Sequence, residues 1–229
     1  SLPAVPEDGW AREIADTIGG MLRNHSCKYV YLDLGSNIGV QPRKLYESRC
    51  YPLAWKTSLF GKVFPRKVMV DRTACTFGFE PNLSHEPRLK RVERRLRSLG
   101  APVRIFTRTA IGGWNKRNVT FYTDRDKKHK EWGASIESGA SVGFKRFASG
   151  YSVNVLSLPF LLDTIKQYGK VERLLIKIDI EGSEYDAVTQ AVMKQVLCSA
   201  ANVTHITMEQ HPRATKPHFP PIQFFPSLA

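Results

Sequence analysis

The chain of 229 residues carries 34 basic and 21 acidic side chains, a formal net charge of +13, with 42% apolar and 24% charged residues. Those proportions exclude a disordered or fibrous chain, and the length suits one domain with its own core. No apolar run reaches the ~18 residues of a membrane span, and the positive excess suits an anionic partner such as nucleic acid, a membrane surface or a sulfated glycan without choosing among them.

In chain order, Trp10, Ile14, Ile18, Met21 and Leu22 recur at helical spacing in "GWAREIADTIGGMLRN". "KYVYLDL" reads as a strand, and "VQPRKLYESRC" after the next turn as a helix with an early proline. Residues 51–70 are irregular, aromatic and basic, as an insertion would be. "CTFGFEP" is a buried strand stopped by Pro81, and "PRLKRVERRLRSL" a helix with Leu89, Val92, Leu96 and Leu99 on one side. Its basic run reads first as a solvated helix face. "PVRIFTR" and the short "NVTFYT" are strands, while residues 124–150 are rich in glycine and charge and lack periodicity. "YSVNVLSL" resumes strand character, and "PFLLDTIKQYG" is a helix opened by proline and stopped by glycine. "RLLIKIDI" is a core strand, "SEYDAVTQAVMKQVL" a helix and "VTHITMEQH" a last strand. The alternation predicts an α/β fold with a mainly parallel sheet, helices on both faces and no second core.

Cys27, Cys50, Cys75 and Cys198 lie too far apart for a CxxC pair, which argues against structural zinc. Cys75 and Cys198 fall in apolar runs and read as buried thiols. Cys27 and Cys50 flank the first strand–helix unit as a candidate disulfide pair. Of seven asparagines, four head N-x-S/T sequons, Asn24, Asn82, Asn118 and Asn202, which points to the secretory pathway, with a cytoplasmic location as the alternative. The first residue is Ser1 rather than methionine, as expected of a trimmed or processed form, which leaves open whether an upstream anchor or targeting segment preceded it.

In an open parallel sheet, ligands collect beyond the carboxyl ends of the strands. Acids stand at those ends here: Asp33, Glu80, Asp179 and Glu209, the last followed by Gln210 and His211. The turn "YLDLGSNIGV" has Gly35 and Gly39 but Asn37 where a dinucleotide fingerprint has its middle glycine, and it lacks the Gly-Lys-Ser/Thr of a phosphate loop. Asp33 before the first glycine would repel phosphate and suits a cationic or zwitterionic ligand, such as the amino-acid end of S-adenosylmethionine. A plain strand-to-helix turn is the alternative. Glu80, ending the second strand, is placed to accept ribose hydroxyls. In "LLIKIDIEGSEYDAV", Ile176, Ile178 and Ile180 share one face, and Lys177, Asp179 and Glu181 the other. Three charges there require a cleft or an ion-paired cluster. Ser183 and Asp186 form a candidate capping box for the following helix.

"YLDLGSNIGV", "FGFEPN", "RTAIGG", "GASI", "LPFLLDTI", "LLIKIDIEGSEYDAV" and "ITMEQH" occur in that order. Together they resemble the FkbM-type methyltransferases, a class I S-adenosylmethionine-dependent group that O-methylates natural products and sugars. The resemblance runs from about residue 28 to residue 211. It implies one Rossmann-like class I domain over 28–211, interrupted at 51–70 and 124–150, between an N-terminal helical segment (1–27) and a proline-rich tail (212–229). It further implies that Asp33, Gly35, Ser36, Asn37 and Gly39 cradle the methionine part of the cofactor, and that Glu80 binds its ribose. Pro81 and Asn82 would shape the adenine loop, which argues against a glycan on Asn82. Thr109 and Ala110 would border the adenine, Ser135 would line the site, and Asp179 would lie near the transferred methyl.

Two features depart from the family pattern. The basic 51–70 segment is extra and is expected to shape an acceptor site or a partner surface. Only 18 residues follow His211, so the far edge of the sheet is expected to be incomplete or differently built.

Transfer to a hydroxyl calls for a general base, with Asp179, Glu209 and His211 as candidates. Asp179 and Glu209 sharing a divalent cation is a lesser alternative. The expected activity is O-methylation of a glycan or small metabolite, with the sequons tilting toward the Golgi lumen. The rivals are an RNA ribose 2'-O-methyltransferase, suggested by the charge and by Lys177, Asp179 and Glu209, and a cofactor-binding pseudoenzyme serving as an interaction module.

Overall fold

The computed structural model describes residues 9–47, 49–52, 59–124, 147–199 and 203–209. Ser135, His211, Asn202, the tail 212–229 and nearly all of 124–150 lie outside them. Runs that are apolar on both faces, above all Tyr29–Leu34, Cys75–Glu80 and Arg173–Ile178, become the interior of a parallel sheet, because such strands must be covered on both sides, and two less buried strands close its edges. The five strands are β1 (Tyr29–Leu34), β2 (Cys75–Glu80), β3 (Val103–Thr107), β7 (Arg173–Ile178) and β8 (Val203–Met208), parallel throughout in the order β3-β2-β1-β7-β8.

Two apolar clusters sandwich this sheet. On one face α1 (Gly9–Asn24), α6 (Leu158–Tyr168) and α7 (Glu184–Met193) pack on Val30, Leu32, Phe77 and Ile176. On the other, α2 (Val40–Tyr46), α3 (Phe60–Val63), α4 (Arg66–Val70) and α5 (Glu86–Ser98) pack on Tyr31, Val103, Ile105 and Leu175. The segment 51–70, expected to be irregular, therefore includes two short helices; Phe60, Val63, Val68 and Met69 bury their apolar side chains in the core. In α5, Leu89, Val92 and Leu96 face inward while Arg88, Arg91 and Arg94 are exposed, the solvated face read from its sequence.

A second sheet was not foreseen. β4 (Thr109–Gly112) and β6 (Phe147–Ser157) pair in parallel, and β5 (Lys116–Asp124) pairs antiparallel with β6. It has its own small cluster of Ala110, Phe121, Val153 and Val155, so the expectation of no second core is corrected. β4 is only four residues long and begins two residues after β3, which hid it in the sequence.

Three further expectations change. The disulfide joins Cys27 to Cys75, not to Cys50, at the first residue of β2. Cys50 is free and exposed, because burial carries Cys75, at the start of β2, to the end of α1 instead. Ser183 stands at the N-cap of α7 without capping it, and the Asp186 carboxylate accepts from the Gly113 amide instead. The last predicted helix is broken at Gln195, which has a positive φ of 56°, and resumes as α8 (Val196–Ser199).

Two predictions follow from these contacts. Replacing both Cys27 and Cys75 by serine opens a loop of sequence separation 48, and urea unfolding should then show a loss of about 2–4 kcal/mol. Hydrogen bonds from Lys90 and Arg108 hold the Glu86 carboxyl down at about 2. A depressed carboxyl stabilises the fold above its ordinary range and loses that contribution as pH falls through the folded value. Lys90 and Arg108 are exposed, so the effect is modest. Glu86→Gln should flatten the fall in urea midpoint between about pH 5 and pH 2.

Candidate active site

From β1 the chain steps outward through β2 and β3, then returns to the opposite side of β1 as β7 and β8. A crevice opens where that direction reverses, beyond the carboxyl ends of β1 and β7. A cavity of about 240 Å³ occupies it, with Gly35, Asn37, Glu80, Pro81, Asn82 and Asp179 along its polar side.

Backbone geometry sets this crevice. Gly35 has φ +81°, and a Cβ there would collide with the carbonyl oxygen of Asp179. The Asp179 amide donates to the Leu34 carbonyl at 3.0 Å, so the ends of β1 and β7 lie against each other. Gly39, at φ +78°, lets the turn pack on Leu89 and Val92 of α5. The glycines are thus required by the chain's own packing at both points. Asn37 between them is exposed at φ 49°, a conformation asparagine tolerates.

Glu80 is 6% exposed and held by two backbone amides. Its Oε2 accepts from Asn37 N at 2.6 Å, and its Oε1 from Asn82 N at 2.9 Å. A carboxylate has about four acceptor positions, so each oxygen retains capacity toward the cavity. Asn82 is itself 2% exposed, and its Oδ1 accepts from Ser84 N, Ser84 Oγ and Tyr151 Oη. That closed loop leaves no room for a glycan on Asn82, whereas Asn24 and Asn118 are exposed.

On neighbouring strands, Asp33 and Lys177 stand opposite each other. The Lys177 ammonium lies 2.9 Å from Asp179 Oδ2, 3.2 Å from the Gly35 carbonyl and 3.9 Å from Asp33 Oδ1. Asp33 is fully buried; its Oδ1 accepts from the Tyr31 hydroxyl at 2.9 Å. Burial pushes the Asp33 carboxyl above its ordinary value, and Lys177 and the Tyr31 hydroxyl offset only part of that. The three charges of "KIDIE" thus form both of the expected arrangements: an ion-paired cluster behind the cavity, and Asp179 and Glu181 facing into it.

The turn after β7 is tightly wound. Glu181 and Gly182 have φ of 50° and 100°, and the Glu184 carboxylate accepts from Gly182 N at 2.6 Å. This turn aims Ser183 into the cavity; its Oγ is buried and has no hydrogen-bond partner among the described residues. The second sheet supplies the apolar wall: Ala110 and Ile111 from β4 and Phe121 from β5 face Phe79 across the crevice. Tyr151 packs on Phe121 at 5.6 Å, and its hydroxyl accepts from Leu83 N at 2.8 Å.

Of the residues singled out from sequence, Gly35, Asn37, Glu80, Pro81, Asn82, Ala110, Asp179 and Glu209 therefore meet at one cavity. Asp33, Ser36, Gly39 and Thr109 stand behind its wall: Ser36 Oγ donates to the Asp33 carbonyl, and Thr109 Oγ1 to the Thr107 carbonyl. Ser135 and His211 are not among the described residues. Phe121 and His85, which line the crevice, and Tyr151, which packs behind Phe121, had no sequence signal, since each is placed through tertiary packing. Ser183 had one in its motif, which was read as a helix cap.

Asp179 and the exposed Glu209 also border a second cavity of about 840 Å³, on the other side of the two acids. Among the described residues no group of three or more His, Cys, Asp or Glu side chains is placed to hold a metal ion, and Asp179 takes Lys177 as its cationic neighbour. No helix there is long and apolar enough to cross a membrane.

The strand order, with a carboxylate-lined crevice at its reversal, defines a Rossmann-like α/β domain. Residues 33–223 match the methyltransferase FkbM domain. The chain belongs to that family and is a methyltransferase. No curated protein and no solved structure gave a match.

The Gly35 contact is directly testable. Gly35→Ala forces a left-handed conformation costing about 1–3 kcal/mol and adds the collision with Asp179, so its urea midpoint should fall clearly below that of the parent protein.

Proposed function

We propose that this methyltransferase uses S-adenosylmethionine to methylate a hydroxyl of a glycan or small metabolite, and does so in the secretory pathway. The observation that carries the cofactor reading is Glu80, preset by two backbone amides at the end of β2 and opening on the crevice. A bidentate acceptor held in that way suits the paired hydroxyls of a ribose. The buried Ser183 Oγ, without a partner among the described residues, adds a donor to the same cavity, and Phe79, Ile111 and Phe121 provide apolar surface for a purine. These residues fit the cofactor, which when bound supplies a methyl group on a sulfonium.

The chain's own part is positioning and proton removal. Asp179 and Glu209 end adjacent strands and border both cavities, so an acceptor entering the larger one meets them at the smaller. Lys177 fixes the Asp179 carboxylate from behind, which favours Asp179 as the group that orients the hydroxyl. Glu209 is exposed and suits the general base, with His211 close by in sequence. The Cys27–Cys75 disulfide and the exposed sequons at Asn24 and Asn118 support an oxidising, luminal compartment.

Calorimetric titration with S-adenosylhomocysteine should show binding, weakened about tenfold to a hundredfold in Glu80→Gln. Transfer of labelled methyl to a panel of hydroxyl acceptors should be abolished or strongly reduced in Asp179→Ala and Glu209→Ala, with S-adenosylhomocysteine affinity retained in Glu209→Ala. An intact protein that does not bind S-adenosylhomocysteine overturns the reading.

A further inference from the structure

The larger cavity carries charges of both signs on different elements. Where β7 and β8 end it is lined by Asp179 and Glu209, with the Lys177 ammonium paired to Asp179; from α2 it is lined by Lys44, with Tyr31, Tyr51 and Phe60 as aromatic surface in the same cavity. Three nearby cations, Arg43, Arg95 and Lys177, are committed to carboxylates. Arg43 and Arg95 both donate to the buried Glu47 carboxylate; burial alone would raise that carboxyl, but the two guanidinium groups hold it below its ordinary range. Lys177 is held by Asp179 and Asp33. Lys44 is half-buried and has no carboxylate partner among the described residues. It also borders a smaller cavity of about 180 Å³, shared with Phe60 and bordered by Arg49 and Arg66. A basic strip thus runs from the large cavity across α2.

A half-buried ammonium without a counter-charge among the described residues favours an anionic ligand. The acids where β7 and β8 end disfavour one there. Aromatic side chains in the same cavity suit the apolar faces of sugar rings. We propose that the larger cavity is the acceptor site and that it takes an acidic oligosaccharide, with the reacting hydroxyl at Asp179 and Glu209 and a carboxylate or sulfate at Lys44. This rests on the methyl-transfer reading above and narrows its substrate class. In the transfer, the acceptor oxygen gains the methyl carbon as the carbon–sulfur bond breaks. The sulfur keeps that electron pair and leaves as the neutral thioether, and the hydroxyl proton passes to the Glu209 carboxylate.

The test is labelled methyl transfer from S-adenosylmethionine to four probes of equal length: a sulfated glucuronate oligosaccharide, its desulfated form, its carboxyl-reduced form, and a neutral oligosaccharide. Transfer to one or more anionic probes and weak transfer to the neutral one is expected, with the desulfated and carboxyl-reduced arms showing which anion is read. Lys44→Gln should raise KM for the preferred probe by on the order of tenfold while kcat and S-adenosylhomocysteine affinity stay near those of the parent, and Lys44→Arg should restore most of the loss. Equal transfer to the neutral probe, transfer to none of the four, or a KM unmoved by Lys44→Gln overturns the acceptor assignment. Failure of the parent protein to bind S-adenosylhomocysteine would instead overturn the cofactor reading, so the two failures are separable.

Discussion

The ends of β1 and β7 meet so closely at Gly35 and Asp179 that no side chain fits between them, and the crevice depends on that contact. A parallel sheet whose direction reverses at β1 must leave a gap beyond those two strand ends. Here the gap is narrowed by one backbone hydrogen bond, from Asp179 to Leu34, and neutralised by one ammonium, that of Lys177. With the ammonium near both Asp33 and Asp179, two carboxylates can sit at adjacent strand ends without uncompensated repulsion. The burial of Asp33 has a structural role: with Ser36 and Tyr31 it fixes the turn from which Gly35 and Asn37 face the cavity.

From that point the site is assembled by elements that never neighbour each other in sequence. Glu80 comes from β2, its two amide donors from the turns after β1 and β2, and the apolar wall from a separate small sheet. Tyr151 and Asp186 join these parts: one anchors the loop after Glu80 to β6, the other anchors the β4–β5 turn to α7. Asp179 and Glu209 then act as a partition, each facing a small cavity on one side and a large one on the other. A reaction between two bound molecules needs such an arrangement, in which the two ligands approach one pair of side chains from separate directions.

Residues that looked like ligand contacts in the sequence divide into two groups for a simple geometric reason. Side chains alternate along a strand, and a turn exposes only some of its positions. Asp33 and Ser36 lie in the same motif as Gly35 and Asn37, yet they point into the protein. Motif membership located the turn to within a few residues, and packing decided which of them face the cavity.

Periodicity and strand-end chemistry in the sequence were enough to determine the parallel α/β class, the places of its core strands and the convergence of three of the four strand-end acids, Glu80, Asp179 and Glu209 but not the buried Asp33, because these depend on local patterns and on a general rule of sheet topology. The family followed from ordered motifs, above all "KIDIEGSE". Tertiary structure alone decided the rest. The partner of Cys27 depended on which segment packs at the start of β2, and the helices of 59–70 on the apolar face they bury. The second sheet depended on pairing across a long sequence gap, and the cavity beside Lys44 on the separation of α2 from β7 and β8. Each is a contact between residues distant in the chain, for which no local pattern carries a signal.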